Sequence, residues 1–146
     1  MIPFVVLVVA FCICALTGKL GNAYLADYHH ALRPALAVMF LLTASAHWGA
    51  KRADLVRMVP SAFGRTEAWV TLTGLLEIAG AIGLLIPVTA PAAAIGLALL
   101  LLAMFPANVR AARLHLTIGG KQVPKIGIRA VIQVIFLTCA VLATGL

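Results

Sequence analysis

The sequence predicts an all-α, polytopic membrane protein, and three observations carry that prediction. Hydrophobic residues make up 64% of the 146 residues and charged residues only 10%, whereas soluble domains carry about 25% charged residues. The apolar residues fall into runs of helical length, and a helix crosses the hydrocarbon core with about 20 of them. Between the runs lie short links rich in Pro, Gly and basic residues, none of them large enough for a separate soluble domain. The length fits one domain.

The net charge of +7 would suggest a nucleic-acid partner in a soluble chain. Here eight of the 11 basic residues lie in two loops, 51–68 and 108–128. No aromatic-basic module or zinc spacing accompanies them, so nucleic acid is excluded as a partner. The charge reads instead as a topology signal that meets anionic lipid headgroups. Cys12, Cys14 and Cys139 all sit in apolar runs, where a thiol behaves as a small hydrophobe.

The first apolar run, Ile2 to Thr17 with an extension to Leu20, predicts an N-terminal transmembrane helix over residues 1–20. No basic residue precedes it and no small-x-small site follows, which argues against a cleaved signal peptide. Gly21-Asn22 marks a turn in the loop 18–33, where Tyr24 and Tyr28 suit a membrane interface. Asp27, His29 and His30 read there as solvated, since adjacent histidines do not share a helix face. Pro34 opens the second helix, as proline does at a first turn; the helix reaches Lys51-Arg52 and carries His47 and Trp48 near its end. The basic loop 51–68, with Leu55, Val56, Met58, Val59 and Phe63, is expected to lie on the interface.

The third helix is WVTLTGLLEIAGAIGLLIP, Trp69 to Pro87, with Glu77 near its middle. A central acid costs about 2.5–3.5 kcal/mol on the insertion scale, and about nine Leu, Ile and Val neighbours return roughly 3–5 kcal/mol. The helix is therefore expected to insert. The link VTAP forces an antiparallel hairpin with a fourth helix, PAAAIGLALLLLAMFPAN. After the second basic loop, a fifth helix runs from Gly127 to Leu146, with Arg129 at its start and Gln133 one turn in.

Five spans place the N-terminus and loops 51–68 and 108–128 on one side. The positive-inside rule makes that side cytoplasmic and puts the C-terminus outside, for a multi-pass protein of the plasma membrane.

An ionisable residue inside a membrane is by default a functional-site hypothesis. Thr73, Gly74, Gly80 and Ala81 flank Glu77 on one stripe, and such small residues let another helix approach closely. At 1.5 Å per residue, Glu77 lies roughly 12 Å from the cytoplasmic end, and His47 and Gln133 each lie roughly 6 Å deep. Asn108 is expected at the cytoplasmic end of the fourth helix. These depths suggest a polar pocket open to the cytoplasm, with Glu77 as buried acid or base and His47 passing protons to water. Thr73, Asn108 and Gln133 would complete its ligand-binding lining. The competing reading is interhelical glue, at about 0.6–2 kcal/mol per bond. No metal-ligand cluster, nucleophile elbow or phosphate loop is present, so no catalytic role beyond the candidates Glu77 and His47 is assigned.

With ASAHW at the end of the second helix, Val59-Pro60, GLLEIAGAIGLLIP and MFPANVRAA in this order and spacing, the chain resembles the DoxX-like family of small membrane proteins. The match covers roughly Pro34 to Gly145, with His47, Glu77, Pro106 and Asn108 on family motif positions. The resemblance implies a four-helix transmembrane bundle over residues 34–146, preceded here by one extra helix. It also implies an auxiliary role beside membrane redox subunits, with quinone as the candidate cofactor. A proton-coupled small-solute transporter and a non-enzymatic assembly or chaperone-like partner are the alternatives. Beyond the lipid bilayer, the expected partners are redox-complex subunits, and a homo-oligomer is left open.

Overall fold

A computed structural model describes residues 1–145. Among these, six α-helices account for nearly all the regular structure: α1 (Ile2–Lys19), α2 (Tyr28–Ser45), α3 (Arg52–Met58), α4 (Thr66–Leu85), α5 (Ala90–Arg113) and α6 (Ile126–Ala143). A two-stranded hairpin, β1 (Thr117–Ile118) and β2 (Lys121–Gln122), joins α5 to α6. The chain is thus mostly helical, as its composition predicts. Helices α1, α4, α5 and α6 are long and apolar enough to cross a membrane.

Helix α2 departs from the expected boundaries. It begins at Tyr28, before Pro34, because Asp27 caps it: the carboxylate accepts from the His29 amide at 2.8 Å. That contact satisfies a first-turn donor, so the polar segment Tyr28–His30 is helical rather than loop. Pro34 consequently sits inside the helix, where its missing N–H leaves the His30 carbonyl without its usual donor. The helix ends at Ser45 instead of running to Lys51. These polar first turns separate α2 from the four apolar helices, and α2 is also the most enclosed of the long helices, with Leu36, Met39 and Phe40 fully buried.

Helix α2 packs against α1, α4 and α6, while α5 packs against α4 and α6. Helices α2, α4, α5 and α6 therefore close a ring, and α1 lies against the α2 side of it. Their contacts follow small residues, as expected where lipid removes the hydrophobic drive between helices. Leu97 covers Gly80, and the Ala93 methyl lies over Gly83, so α4 and α5 approach closely as an antiparallel pair. Thr89 closes that hairpin by donating to the Gly83 carbonyl at 2.8 Å. Leu72, Leu75, Leu76, Ile95, Leu99, Val131 and Val134 remain exposed on the outer faces, as lipid contact requires.

The two ends of the bundle differ. At one, Asp54 of α3 accepts from the Gly119 amide at 2.8 Å and from Arg57, tying α3 to the hairpin. Both bonds hold the Asp54 carboxyl below its ordinary range, the Gly119 amide contributing most. Arg110 of α5 also reaches the Arg57 carbonyl, so the two basic loops share this end. At the other, Arg33 is buried and donates to the Ala143 carbonyl at 3.0 Å and the Thr144 carbonyl at 3.3 Å. His29 Nδ1 meets the Leu142 carbonyl beside it. Together they satisfy carbonyls that the C-terminus of α6 leaves open.

Candidate functional site

Helix α4 turns Val70, Gly74, Glu77, Ala81 and Leu84 inward at alternating spacings of four and three, the repeat that keeps one face against neighbouring helices. The chain leaving α2 crosses this face. After Ser45 the turn tightens, with Ala46 N–H donating to Thr43 and His47 N–H to Ala44. This aims His47 at α4. Gly74 makes room for it: a Cβ at position 74 would lie 2.7 Å from both His47 Cγ and Trp48 Cη2.

Arg52 fixes the same turn from outside. Its guanidinium donates to the His47 carbonyl at 2.7 Å, to Thr71 Oγ1 at 2.9 Å and to the Glu67 carbonyl at 3.2 Å. One cation thus staples the end of α2 to the first turns of α4. Charge-assisted bonds of this kind are about twice as strong as neutral ones.

Within this frame, His47 Nε2 stands 3.6 Å from Glu77 Oε2. The pair is close enough to interact as ions and too far apart for a hydrogen bond. His47 Nδ1 lies 2.6 Å from the Val70 carbonyl. A carbonyl oxygen only accepts, so Nδ1 carries hydrogen and Nε2 is left as the titratable nitrogen facing the acid.

Thr43 Oγ1 lies 2.9 Å from both Glu77 Oε2 and the Phe40 carbonyl. One hydroxyl hydrogen serves one acceptor at a time. With Glu77 ionised, Thr43 donates to the carboxylate. With Glu77 protonated, the acid donates to Thr43, which turns its own hydrogen to Phe40. The site therefore satisfies Glu77 in both protonation states by rotating a single hydroxyl.

His47 and Glu77 are 7% and 3% exposed, so this is a packed polar cluster rather than an open pocket. The other expected lining residues have different partners. Thr73 donates to the Trp69 carbonyl at 2.9 Å within its own helix, and lies 3.2 Å from the Val70 carbonyl that receives His47. Asn108 is not at a helix end, because α5 continues to Arg113; its Oδ1 accepts from Arg129. Gln133 is buried and donates to the Leu101 carbonyl at 2.7 Å. That carbonyl adjoins the one Pro106 deprives of a partner, since proline in a helix offers no N–H to the residue four before it. Asn108 and Gln133 thus join α5 to α6, while His47 and Glu77 join α2 to α4.

Thr43 and Arg52 were missed at the sequence level. Thr43 could have been found, because it lies four residues before His47 on the same helical face. Arg52 gave no signal beyond its charge. Among the described residues no group of three or more His, Cys, Asp or Glu is arranged to hold a metal ion. His29 serves the end of α6, and His30 stacks on Tyr24 with ring centroids 4.2 Å apart.

No curated protein and no solved structure matches the chain. A family model described as a domain of unknown function, DUF8561, matches residues 36–144, from inside α2 to the end of α6. The match leaves α1 outside and takes in Thr43, His47, Arg52 and Glu77, and on its extent the chain belongs to the DUF8561 family.

Proposed function

We propose that this is a DoxX-like plasma-membrane protein that serves as an auxiliary subunit of a quinone-linked redox system, with Glu77 and His47 as its proton-exchanging pair. The single observation that carries the reading is the 3.6 Å approach of His47 Nε2 to Glu77 Oε2 with Nδ1 committed to the Val70 carbonyl. It gives a proton two adjacent holders and no third group that captures it. Glu77 takes a proton at Oε2, and Thr43 reorients to accept from it. His47 takes the proton at Nε2, its one uncommitted ring nitrogen, and gives it back there to Glu77 Oε2 or to the acceptor atom of a bound ligand. Arg52, fixed on the His47 carbonyl, holds the imidazole in place beside Glu77.

Carboxyl, imidazole and hydroxyl groups are donors of the kind a quinone carbonyl accepts from, so the chemistry of the set suits that cofactor, while the packing gives it room only when the helices part. When bound, the quinone would supply the electron chemistry, exchanged with partner redox subunits. The resemblance to DoxX-like proteins supports the partner class. The concentration of basic residues at one end supports a cytoplasmic assignment for that end. In this reading α2 crosses the membrane as a fifth span, its polar first turns lying at the outer interface.

The test is Glu77→Gln in native membranes. The amide keeps the Thr43 bond and removes the proton site, so general acid–base loss predicts a fall of about 10²–10⁴-fold in a step that depends on it. Unchanged quinone-linked respiration with normal protein levels would refute the proposal. A second reading, a non-enzymatic assembly partner, is favoured by the near-complete burial of Glu77 and His47. It predicts that Glu77→Leu combined with His47→Phe leaves function intact.

A further inference from the structure

We propose that the outer face of α6 binds an anionic phospholipid, with its phosphate at Lys125 and Arg129 and an acyl chain in the groove below them. The inference is independent of the Glu77 site.

The groove holds about 320 Å³ between the starts of α1 and α6, with Phe4 on one wall and Ile128, Val131, Ile132 and Ile135 on the other. Its lining is apolar, and Gly127 at its upper end leaves open space where a Cβ would be. On a helix, residues three and four apart are neighbours. Lys125 caps the start of α6 one turn before Ile128, and Arg129 stands one turn before Ile132 with its head drawn to Asn108 on the α5 side. Cations sit above and hydrocarbon surface below, in the order in which a lipid presents phosphate and chain.

The charges above the groove lack anionic partners. Arg129 is partly buried and donates to the neutral amide of Asn108. Among the described residues the ion pairs are His47–Glu77 and Arg57–Asp54, so no carboxylate answers Arg129 or Lys125. Helices α1 and α6 carry no acidic residue. A guanidinium held at a membrane interface without a counterion selects a phosphate, which accepts its planar donors bidentately. The apolar groove selects the esterified form over free phosphate.

The experiment is native mass spectrometry of the full chain in mild detergent, titrated with phosphatidylglycerol and phosphatidylcholine of identical acyl chains. We expect phosphatidylglycerol to be retained roughly tenfold better, two interfacial cations being enough for that preference. Lys125→Gln with Arg129→Gln should abolish the preference. Arg113→Gln with Lys121→Gln removes equal charge from exposed positions of the same end and should preserve it. Retained preference in the first pair, or equal loss in both, would overturn the proposal in favour of diffuse surface charge. Ile132→Trp fills the groove with the cations intact and should weaken both lipids. Unchanged binding in that variant would overturn the acyl-chain site even if the glutamine pair failed to fold. Displacement of the lipid by inorganic phosphate, or by a quinone, would equally reject it.

Discussion

Replacing Gly74 by alanine adds one methyl group where α2 turns onto α4. The new Cβ would lie 2.7 Å from His47 Cγ and from Trp48 Cη2, where ordinary contact begins at 3.4 Å. The His47 contact is close to its backbone, since His47 Cβ would itself lie 2.8 Å away, whereas Trp48 Cη2 is the far tip of an indole; the His47 side of the turn must therefore withdraw by about 0.7 Å in an interior packed to crystal density. Overpacking of this kind costs about 1–3 kcal/mol. Alanine also has a higher helix propensity than glycine by about 1 kcal/mol, which masks part of the loss. Gly96→Ala supplies the control, because Gly96 also lies inside a long helix and a Cβ there meets nothing within 4 Å. The propensity term cancels between the two variants, leaving Gly74→Ala less stable by about 1–3 kcal/mol. Titration from mild detergent into dodecyl sulfate, followed by far-UV circular dichroism, measures the difference. The same displacement lengthens the 3.6 Å separation of His47 from Glu77. Equal stability of the two variants would refute the account of how His47 is placed.

Two further outcomes follow from named bonds. Gln133→Leu removes the donor to Leu101 beside Pro106 and should cost about 0.6–1.7 kcal/mol, the range for interhelical hydrogen bonds in membranes, in the same unfolding assay. The Asp54 carboxyl is held below its ordinary range by the Gly119 amide and Arg57, so its tie to the hairpin is complete above the unfolded carboxyl value of about 4 and is lost as pH falls through the lower folded value. Asp54→Ala should free the hairpin at neutral pH and raise its amide exchange around Gly119; exchange equal to that of the unaltered protein would contradict the assignment.

Helices α1, α4, α5 and α6 were legible because uninterrupted apolar runs need only length to be recognised. The start of α2 was hidden by chemistry that looks like loop. Tyr28, His29 and His30 are polar, and Pro34 is a natural first-turn residue, yet the side chain of Asp27 starts the helix about two turns earlier. Glu77 and His47 were found because both depth and residue type point to them. Depth could not say which residues meet. Asn108 and Gln133 stand at comparable heights, but they belong to the α5–α6 seam, and a sequence gives height along a helix more readily than the direction a side chain faces. The tie between Asp54 and Gly119 spans 65 residues and left no local trace.

Arg33 imposes an order on how this molecule can be assembled. Its guanidinium sits in the second helix, and its acceptors include Ala143, 110 residues later. During synthesis α2 leaves the ribosome long before any carbonyl of α6 exists. With only the Tyr24 hydroxyl to receive it, the arginine resists burial in hydrocarbon, so the polar start of α2 must wait at the interface beside Tyr24 and Tyr28. Helix α6, made after α2, is what allows α2 to settle. The ring of helices therefore closes only when the end of α6 reaches Arg33, and α6 acts as the latch for α2.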